Sequence, residues 1–165
     1  MAVSNATSVG SGVVVGAGAV IDVTLSLDTN IYADNDVAAA PQEVTNFFRV
    51  PGGRAYLHSI KVQDNDDQGV EMEILFLNAT GSIGAENAAF GPTDAVAETI
   101  IGRVLIATAD YTDASTSQFA FQGNIGLMMQ AAPSTTSVWI AAVVRSGTPT
   151  FTASGVKLKL GVMWD

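Results

Sequence analysis

The sequence predicts an all-β fold, an antiparallel β-sandwich with at most one or two short helical turns. Apolar and polar residues alternate through most of the chain, which is the period of a half-buried strand. Gly, Pro or Ser-Thr turn signals separate these segments at intervals of about ten residues, as in sandwiches and barrels. No sustained heptad or fixed-period repeat is present, which argues against coiled coils and solenoids.

Length and composition narrow the class of protein further. The 165 residues fit one domain, and the absence of cysteine excludes disulfides and thiolate metal sites. A net charge of −9 with only seven scattered Lys and Arg residues argues against a nucleic-acid partner. The N-terminal stretch lacks a basic region, and its apolar run Val13–Val15 is too short for a signal core or a membrane span. We therefore expect no export by a standard signal and no membrane partner.

The chain divides into an N-terminal arm and one domain. Residues 1–19 are rich in Gly, Ser, Ala and Val and carry no charge, which predicts a flexible arm or a first strand softened by glycine. Residues 20–165 form the predicted sandwich domain. Its first strand places four apolar residues on one face: Ile21, Val23, Leu25 and Leu27.

A polar loop and a second strand follow. Residues 29–42 contain Asp34-Asn35-Asp36 and Pro41, which predicts a loop. Residues 44–50 are predicted as a strand that ends at the turn Pro51-Gly52-Gly53.

The next two segments predict a β-hairpin. Residues 56–63 and 70–77 both alternate, and the segment 64–69 between them consists of turn formers. Burial of both apolar faces requires Ile60 opposite Met72 or Ile74, which leaves two registers open. Either register brings Lys61 opposite a glutamate of the second strand: Glu71 or Glu73.

The remaining chain predicts a long connection and six strands. In the connection, residues 78–98, the segment 93–98 predicts one capped helical turn. Residues 138–144 are apolar on both faces, which predicts either a central, covered strand or a subunit interface. The last strand alternates most regularly, with Lys157 and Lys159 facing outward. The six strands are predicted at residues 99–107, 117–122, 125–131, 137–145, 148–153 and 156–164.

No group of residues predicts catalysis, and we expect a protein that is not an enzyme. A serine nucleophile needs a base, and the single histidine, His58, falls on the apolar face of its strand, where a buried core residue is expected. One histidine also excludes the common His-rich zinc sites. Glu71 and Glu73 have the residue type for acid–base work, but their position opposite Lys61 is typical of a solvated ladder. We assign no catalytic, cofactor-binding or metal-binding residue and expect no cofactor.

One acidic segment begins with the residue spacing of a calcium-binding loop. Asp64-x-Asp66-x-Gln68-Gly69 places oxygen ligands at alternate positions, as a hard cation requires. The pattern fails at its twelfth position, where Leu75 replaces the bidentate glutamate. We interpret the segment as an acidic loop tip, and the alternative of a cation bound at Asp64–Asp67 stays open.

A set of short motifs distributed over residues 20–163 carries a family resemblance. The motifs are Leu57-His58-Ser59-Ile60, Asp66-Asp67-Gln68-Gly69, Ile74–Leu77, Asn87-Ala88-Ala89-Phe90, Asp94-Ala95, Ala109-Asp110-Tyr111, Asn124-Ile125-Gly126-Leu127, Val138–Arg145, Thr148-Pro149-Thr150-Phe151 and Ala153-Ser154-Gly155-Val156. Together they resemble a group of tailed-bacteriophage virion proteins of β-sandwich type. None of the motifs is catalytic, so the resemblance indicates a scaffold and not a reaction.

The resemblance implies a jelly-roll-like sandwich and a structural role. Such proteins are head decoration or cement proteins that bind the outside of the capsid and stabilise it. The implied partners are the major capsid protein and further copies of the chain, with a trimer favoured. The implied location is the virion surface, after synthesis in the host cytoplasm. The alternative is a phage tail or head-fibre adhesin that binds host-surface glycan, although Trp139 and Trp164 lie in strand patterns that predict burial.

Overall fold

The computed structural model describes residues 17–164, and it confirms the predicted all-β fold. These residues contain nine strands, one α-helix of four residues and one 3₁₀ turn. The strands are β1 (Ala17–Thr24), β2 (Val37–Val44), β3 (Arg54–Asp64), β4 (Met72–Leu77), β5 (Ile100–Ile106), β6 (Tyr111–Asp113), β7 (Gln118–Gln130), β8 (Val138–Val144) and β9 (Val156–Trp164). Helix α1 (Asp94–Ala97) precedes β5, and the 3₁₀ turn (Thr108–Asp110) precedes β6.

The strands form two antiparallel sheets. The five-stranded sheet has the order β1-β9-β3-β7-β6, and the four-stranded sheet has the order β2-β8-β4-β5. If the three-residue β6 is set aside, eight strands remain, four in each sheet, and most successive strands change sheets. This is the topology of a jelly roll. The predicted jelly-roll-like sandwich is therefore the observed architecture.

The core lies between the two sheets and follows from the alternation in each strand. β9 turns Val156, Leu158, Leu160 and Val162 inward, and Lys157 and Lys159 between them are exposed. The four-stranded sheet meets these side chains with fully buried residues of its own: Met72, Ile74, Phe76 and Ile140.

The predicted hairpin between residues 56–63 and 70–77 is wrong. β3 pairs with β7 and β9, whereas β4 pairs with β5 and β8 in the other sheet. Ile60 is therefore opposite Gln122 and Leu160, and Lys61 is opposite Phe121 and Lys159. Ile60 and Met72 are buried as expected, but they lie in different sheets on either side of the core instead of in paired strands. Alternation specifies which face of a strand is buried, but it does not specify the neighbouring strand.

A β-bulge overturns the predicted burial of His58, which is exposed. The register of β3 shifts between Leu57 and Ser59 against both of its neighbours. Because of this shift, Leu57 and Ile60 are both fully buried although they are three positions apart. The histidine between them is turned to the outside.

The same bulge explains why two predicted strands, residues 117–122 and 125–131, form the single long strand β7. The stretch of β7 opposite the bulge contains Asn124 and Gly126, whose φ angles are 57° and 67°. Both residue types tolerate this left-handed conformation better than most. The turn chemistry at these positions therefore produces an irregularity within one strand instead of a connection between two.

Three further boundaries differ from the prediction. β2 occupies Val37–Val44, mostly within the predicted loop at residues 29–42, and residues 45–53 form turns instead of a strand. Pro41 fits β2 because this strand lies at the edge of its sheet. Residues 148–153 contribute only an isolated bridge between Ile31 and Thr150. β1 begins at Ala17, inside the segment predicted as an arm, and residues 1–16 lie outside the described residues.

The connection between β4 and β5 covers the side of the four-stranded sheet that points away from the core. Its Ile83, Phe90 and Val96 pack on the outward side chains of β4 and β8, which include Leu75, Leu77, Ala141 and Val143. The strand that is apolar on both faces, β8, is therefore central and covered. The predicted helical turn forms as α1, but the Thr93 side chain makes no cap hydrogen bond.

Replacing Ile83 with alanine is expected to lower the free energy of unfolding by about 2 kcal/mol. Ile83 is fully buried, but the surrounding segment lies at the surface and can settle partly into the vacated space. Urea unfolding followed by tryptophan fluorescence measures the loss. Thr80→Ala, an exposed change in the same connection, is the control. Equal stability of the two variants would mean that the cover contributes little.

Candidate functional site

The polar residues considered for chemistry are distributed over the molecule and do not meet in one pocket. His58 lies in the five-stranded sheet, Glu73 lies in β4, an inner strand of the four-stranded sheet, and Glu71 lies just before β4. Within residues 17–164, no group of three or more His, Cys, Asp or Glu side chains is arranged to hold a metal ion. In the same range, no helix is long and apolar enough to cross a membrane.

Glu73 is buried between the four-stranded sheet and its covering segment, and it forms ion pairs with two arginines. Its Oε1 accepts a hydrogen bond of 2.6 Å from Nη1 of Arg103, and its Oε2 accepts one of 2.8 Å from Nε of Arg145. Arg145 also donates to Asn35 and lies 5.1 Å from the ring centroid of Phe90. The prediction that Lys61 faces Glu71 or Glu73 is therefore wrong, and the Glu73 network connects the sheet to its covering segment.

The arginines determine the ionisation of Glu73. Burial by itself raises the pKa of this carboxyl group, but hydrogen bonds and charges from Arg145 and Arg103 outweigh it and lower the pKa below its ordinary value. A general acid needs the opposite shift, because it has to hold a proton near neutral pH. Glu73 is an ionised structural group.

Asp64 closes the loop between β3 and β4 and is also buried. Its Oδ1 accepts the N–H of Asp66 at 2.9 Å, and its Oδ2 accepts the N–H groups of Gln68 and Gly69, both at 2.8 Å. Asp66 in turn accepts hydrogen bonds from the backbone and hydroxyl of Thr152. Both carboxylates of the calcium-like pattern are thus engaged in holding loops together.

Tyr32 is another buried titratable group with a structural role. Its hydroxyl accepts the N–H of Asp28 at 2.6 Å and donates to the carbonyl of Ala38 at 3.0 Å. Burial is the main cause that raises the pKa of Tyr32 to about 12. The phenol therefore keeps its proton at neutral pH and fastens the loop before β2.

The outward side chains of the five-stranded sheet form the least covered apolar surface among the described residues. We call this surface, on β1, β9, β3 and β7, the outer face. Phe121 is 64% exposed and Met128 is 55% exposed, although both lie in a sheet. Five of the eight exposed large apolar side chains lie on the outer face: Val20, Tyr56, Phe121, Met128 and Met163. A concentration of this kind is typical of a binding surface.

Lysines surround a shallow depression on the same outer face. The depression has a volume of about 210 Å³ and lies above β1, β9 and β3. Its charged side chains are Lys61, Lys157, Lys159 and Asp22, of which Lys159 and Asp22 form an ion pair of 2.6 Å. These are all three lysines of the chain.

The outer face was not predicted from the sequence, although the sequence contains a signal for it. Tyr56, Met128 and Met163 are apolar residues at strand positions whose neighbours on either side are buried or half-buried. Such residues interrupt the usual rule that the outward positions of a sandwich are polar. The bulges of β3 and β7 obscured this signal, because they change which positions face outward.

The two tryptophans are half-buried and differ in their surroundings. Trp164 donates its indole N–H to the carbonyl of Phe47 at 2.7 Å, and Arg49 lies 5.2 Å from its ring centroid. Trp139 packs with the apolar cover of the four-stranded sheet. The ring faces of both are thus partly occupied by the protein itself, which leaves less surface for stacking on a sugar.

Comparisons with known proteins give distant structural similarities. No protein-family model and no curated protein matches the chain. The chain is similar to the structure of Desmodium yellow mottle tymovirus, at 9% identity over 90% of this chain and 81% of the other, with a TM-score of 0.31. It is also similar to the VP2 subviral particle of infectious bursal disease virus, at 11% identity over 90% of this chain and 41% of the other, with a TM-score of 0.24.

A third similarity is to a marine algae virus of the order Picornavirales, at 14% identity over 89% of this chain and 67% of the other, with a TM-score of 0.22. All three are structures of viruses or of a subviral particle. With TM-scores this low, the similarities bear on neither the activity nor the partners of this chain.

Proposed function

We propose that this chain is a structural virion protein that binds the outside of a bacteriophage capsid and stabilises it, as a decoration or cement protein. The observation that carries the proposal is the outer face, an exposed apolar and basic surface of the kind that binds other proteins of a particle, whether the shell or further copies of the chain. The buried polar groups described above serve the fold, which leaves recognition by a surface as the function that the geometry favours. Eight-stranded jelly rolls are common in viral capsid proteins, and the family resemblance of residues 20–163 points to the same class.

A decoration protein stabilises a shell by mass action. Packed DNA strains the shell, and a protein that binds only the assembled and expanded lattice lowers the free energy of that state. The partner is then the major capsid protein, and a homo-oligomer, with a trimer favoured, multiplies weak contacts through avidity. We also propose that the segment before β1 acts as an arm that contacts the capsid.

The test mixes the purified protein with expanded phage shells assembled without it, and measures co-sedimentation and the melting temperature of the shells. Saturable binding and a higher melting temperature are expected. Deletion of residues 1–16 leaves β1 intact and is expected to weaken binding without unfolding the domain. Absence of binding, together with retention on a glycan array or on host cells, would overturn the proposal in favour of an adhesin.

A further inference from the structure

Strand register brings the lysines of the outer face unusually close together. Lys61 of β3 is directly opposite Lys159 of β9, and Lys157 lies diagonally across from Lys61. Like charges in directly opposed positions of an antiparallel pair are destabilising. The arrangement therefore costs the isolated domain stability unless anions compensate it.

The chain provides little of this compensation itself. Asp22 pairs with Lys159, whereas the ammonium group of Lys61 lies 5.1 Å from the ring centroid of Phe119. Within residues 17–164, neither Lys61 nor Lys157 forms an ion pair with a carboxylate. The whole sequence has sixteen acidic and seven basic residues, so carboxylates are abundant elsewhere in the chain.

We propose that the outer face binds the acidic surface of a second copy of this chain. Three lysines and one aspartate give the depression a formal charge of +2, whereas the whole chain carries −9. The rest of the chain therefore carries a formal charge of −11, so the other surfaces of a neighbouring copy are acidic on average and attract this face. The inference rests on the proposed function and deepens it, because it names the surface through which the copies associate.

Charge also determines the symmetry of the contact. A two-fold contact centred on the depression would place the lysines of one copy against those of the other. The contact is therefore head-to-tail, with the outer face of one copy against a different, acidic surface of the next. Contacts of this type close into rings when the rotation permits, which accords with a cyclic trimer.

The depression and the apolar side chains contribute to binding in different ways. Carboxylates of the neighbouring copy enter the depression, where the lysine side chains surround them. Phe121, which is opposite Lys61, adjoins the depression, and Tyr56, Met128 and Met163 lie further along the same face. These apolar side chains lose water on contact and supply most of the favourable free energy. Lysines in this position make the association faster and more selective, and they make it sensitive to salt.

Sedimentation velocity of the full chain tests the proposal. At about 50 mM salt we expect species heavier than the 17.0 kDa monomer, and at about 500 mM salt a shift towards monomer. The double variant Lys61→Gln, Lys157→Gln is expected to weaken association about tenfold. The control Thr80→Glu, Ala95→Glu makes the same net charge change at exposed positions of the opposite sheet's cover and is expected to associate as wild type. Monomer under all conditions, or equal weakening in both variants, would overturn the proposal.

Zero-length carbodiimide cross-linking identifies the contact. An equal mixture of unlabelled and heavy-isotope-labelled protein separates links between copies from links within one copy. Lys159 and Asp22, 2.6 Å apart, are the internal positive control for a link within one copy. We expect links between copies from Lys61 or Lys157 to acidic residues, and only links within one copy would contradict the contact.

The outcomes separate this inference from the proposed function. A monomer that binds expanded shells would overturn the head-to-tail contact and leave the shell-binding role in place. A salt-sensitive oligomer that binds no shell would support the contact and overturn the shell-binding role.

Discussion

The variant Glu73→Ala is expected to lose about 3 kcal/mol of unfolding free energy. Glu73 is 3% exposed, and its removal leaves two guanidinium groups without their carboxylate partner. Losing one member of a buried ion pair typically costs about 3–5 kcal/mol. The low end applies because the Arg103 side chain is 74% exposed and remains hydrated. Urea unfolding monitored by the fluorescence of Trp139 and Trp164 measures the change.

Acid is expected to reduce the difference between wild type and Glu73→Ala. The pKa of Glu73 is lowered in the folded state from an ordinary value of 4.5, so its contribution to stability is complete above that value. The contribution is lost as the pH falls through the lowered, folded-state pKa. Unfolding curves measured from neutral pH down to that region should therefore converge. A difference that is constant over this range would contradict the role assigned to the ionised carboxylate.

Glu71→Ala is the matched control for the Glu73 variant. It removes the same charge two positions earlier, and the Glu71 side chain accepts no hydrogen bond within the described part of the chain. We expect a loss below about 0.5 kcal/mol, as is usual for surface changes. Similar losses for the two variants would show that overall charge, and not the arginine contacts, is responsible.

Asp64→Ala is expected to lower the free energy of unfolding by about 3 kcal/mol. The carboxylate accepts three backbone N–H groups, and among these the N–H of Gly69 is buried and has no water to replace the lost acceptor. Hydrogen bonds to a charged group contribute about 1.5–3 kcal/mol each, but three bonds to one carboxylate are not additive. Asp67, within the same loop, has a φ of 57°, which is uncommon for a residue other than glycine, so the loop depends on these bonds to hold that conformation.

Two variants and one addition test the role of Asp64. Asp64→Asn keeps one acceptor oxygen and is expected to lose an intermediate amount of stability. Asn65→Ala, at the exposed neighbouring position, is expected to change little. Added calcium is expected to leave the melting temperature unchanged, because both Asp64 oxygens already accept hydrogen bonds. A calcium-dependent rise in the melting temperature would show instead that the loop binds the cation.

These two carboxylates hold the frame that presents the outer face. Asp64 fixes the connection that carries the chain from the five-stranded sheet to the four-stranded sheet, and Glu73 fastens the four-stranded sheet to its cover. Neither lies on the outer face. Variants at these positions should therefore reduce stability and leave self-association of the folded protein intact. The Lys61 and Lys157 variants should instead weaken self-association without reducing stability.

Sequence patterns were most reliable where the residues of a single strand indicate which of its faces is buried. The alternation in residues 156–164 predicted β9 at its observed bounds, and the doubly apolar segment 138–144 predicted β8 with burial on both faces. The candidate surface was predictable only in part. Lys157 and Lys159 were expected to face outward, but neither their approach to Lys61 nor the apolar side chains beside them was anticipated.

The sequence by itself determined the fold class, because period-two alternation with frequent turn signals permits a buried face on a strand but not on a helix. It also determined which side of most strands faces the core. Only the tertiary structure decided that β3 and β4 lie in different sheets, that the bulge exposes His58, and that Glu73 meets two arginines. The physical reason is that strand neighbours, and the charges they bring together, depend on pairings between residues distant in sequence, which local alternation does not encode.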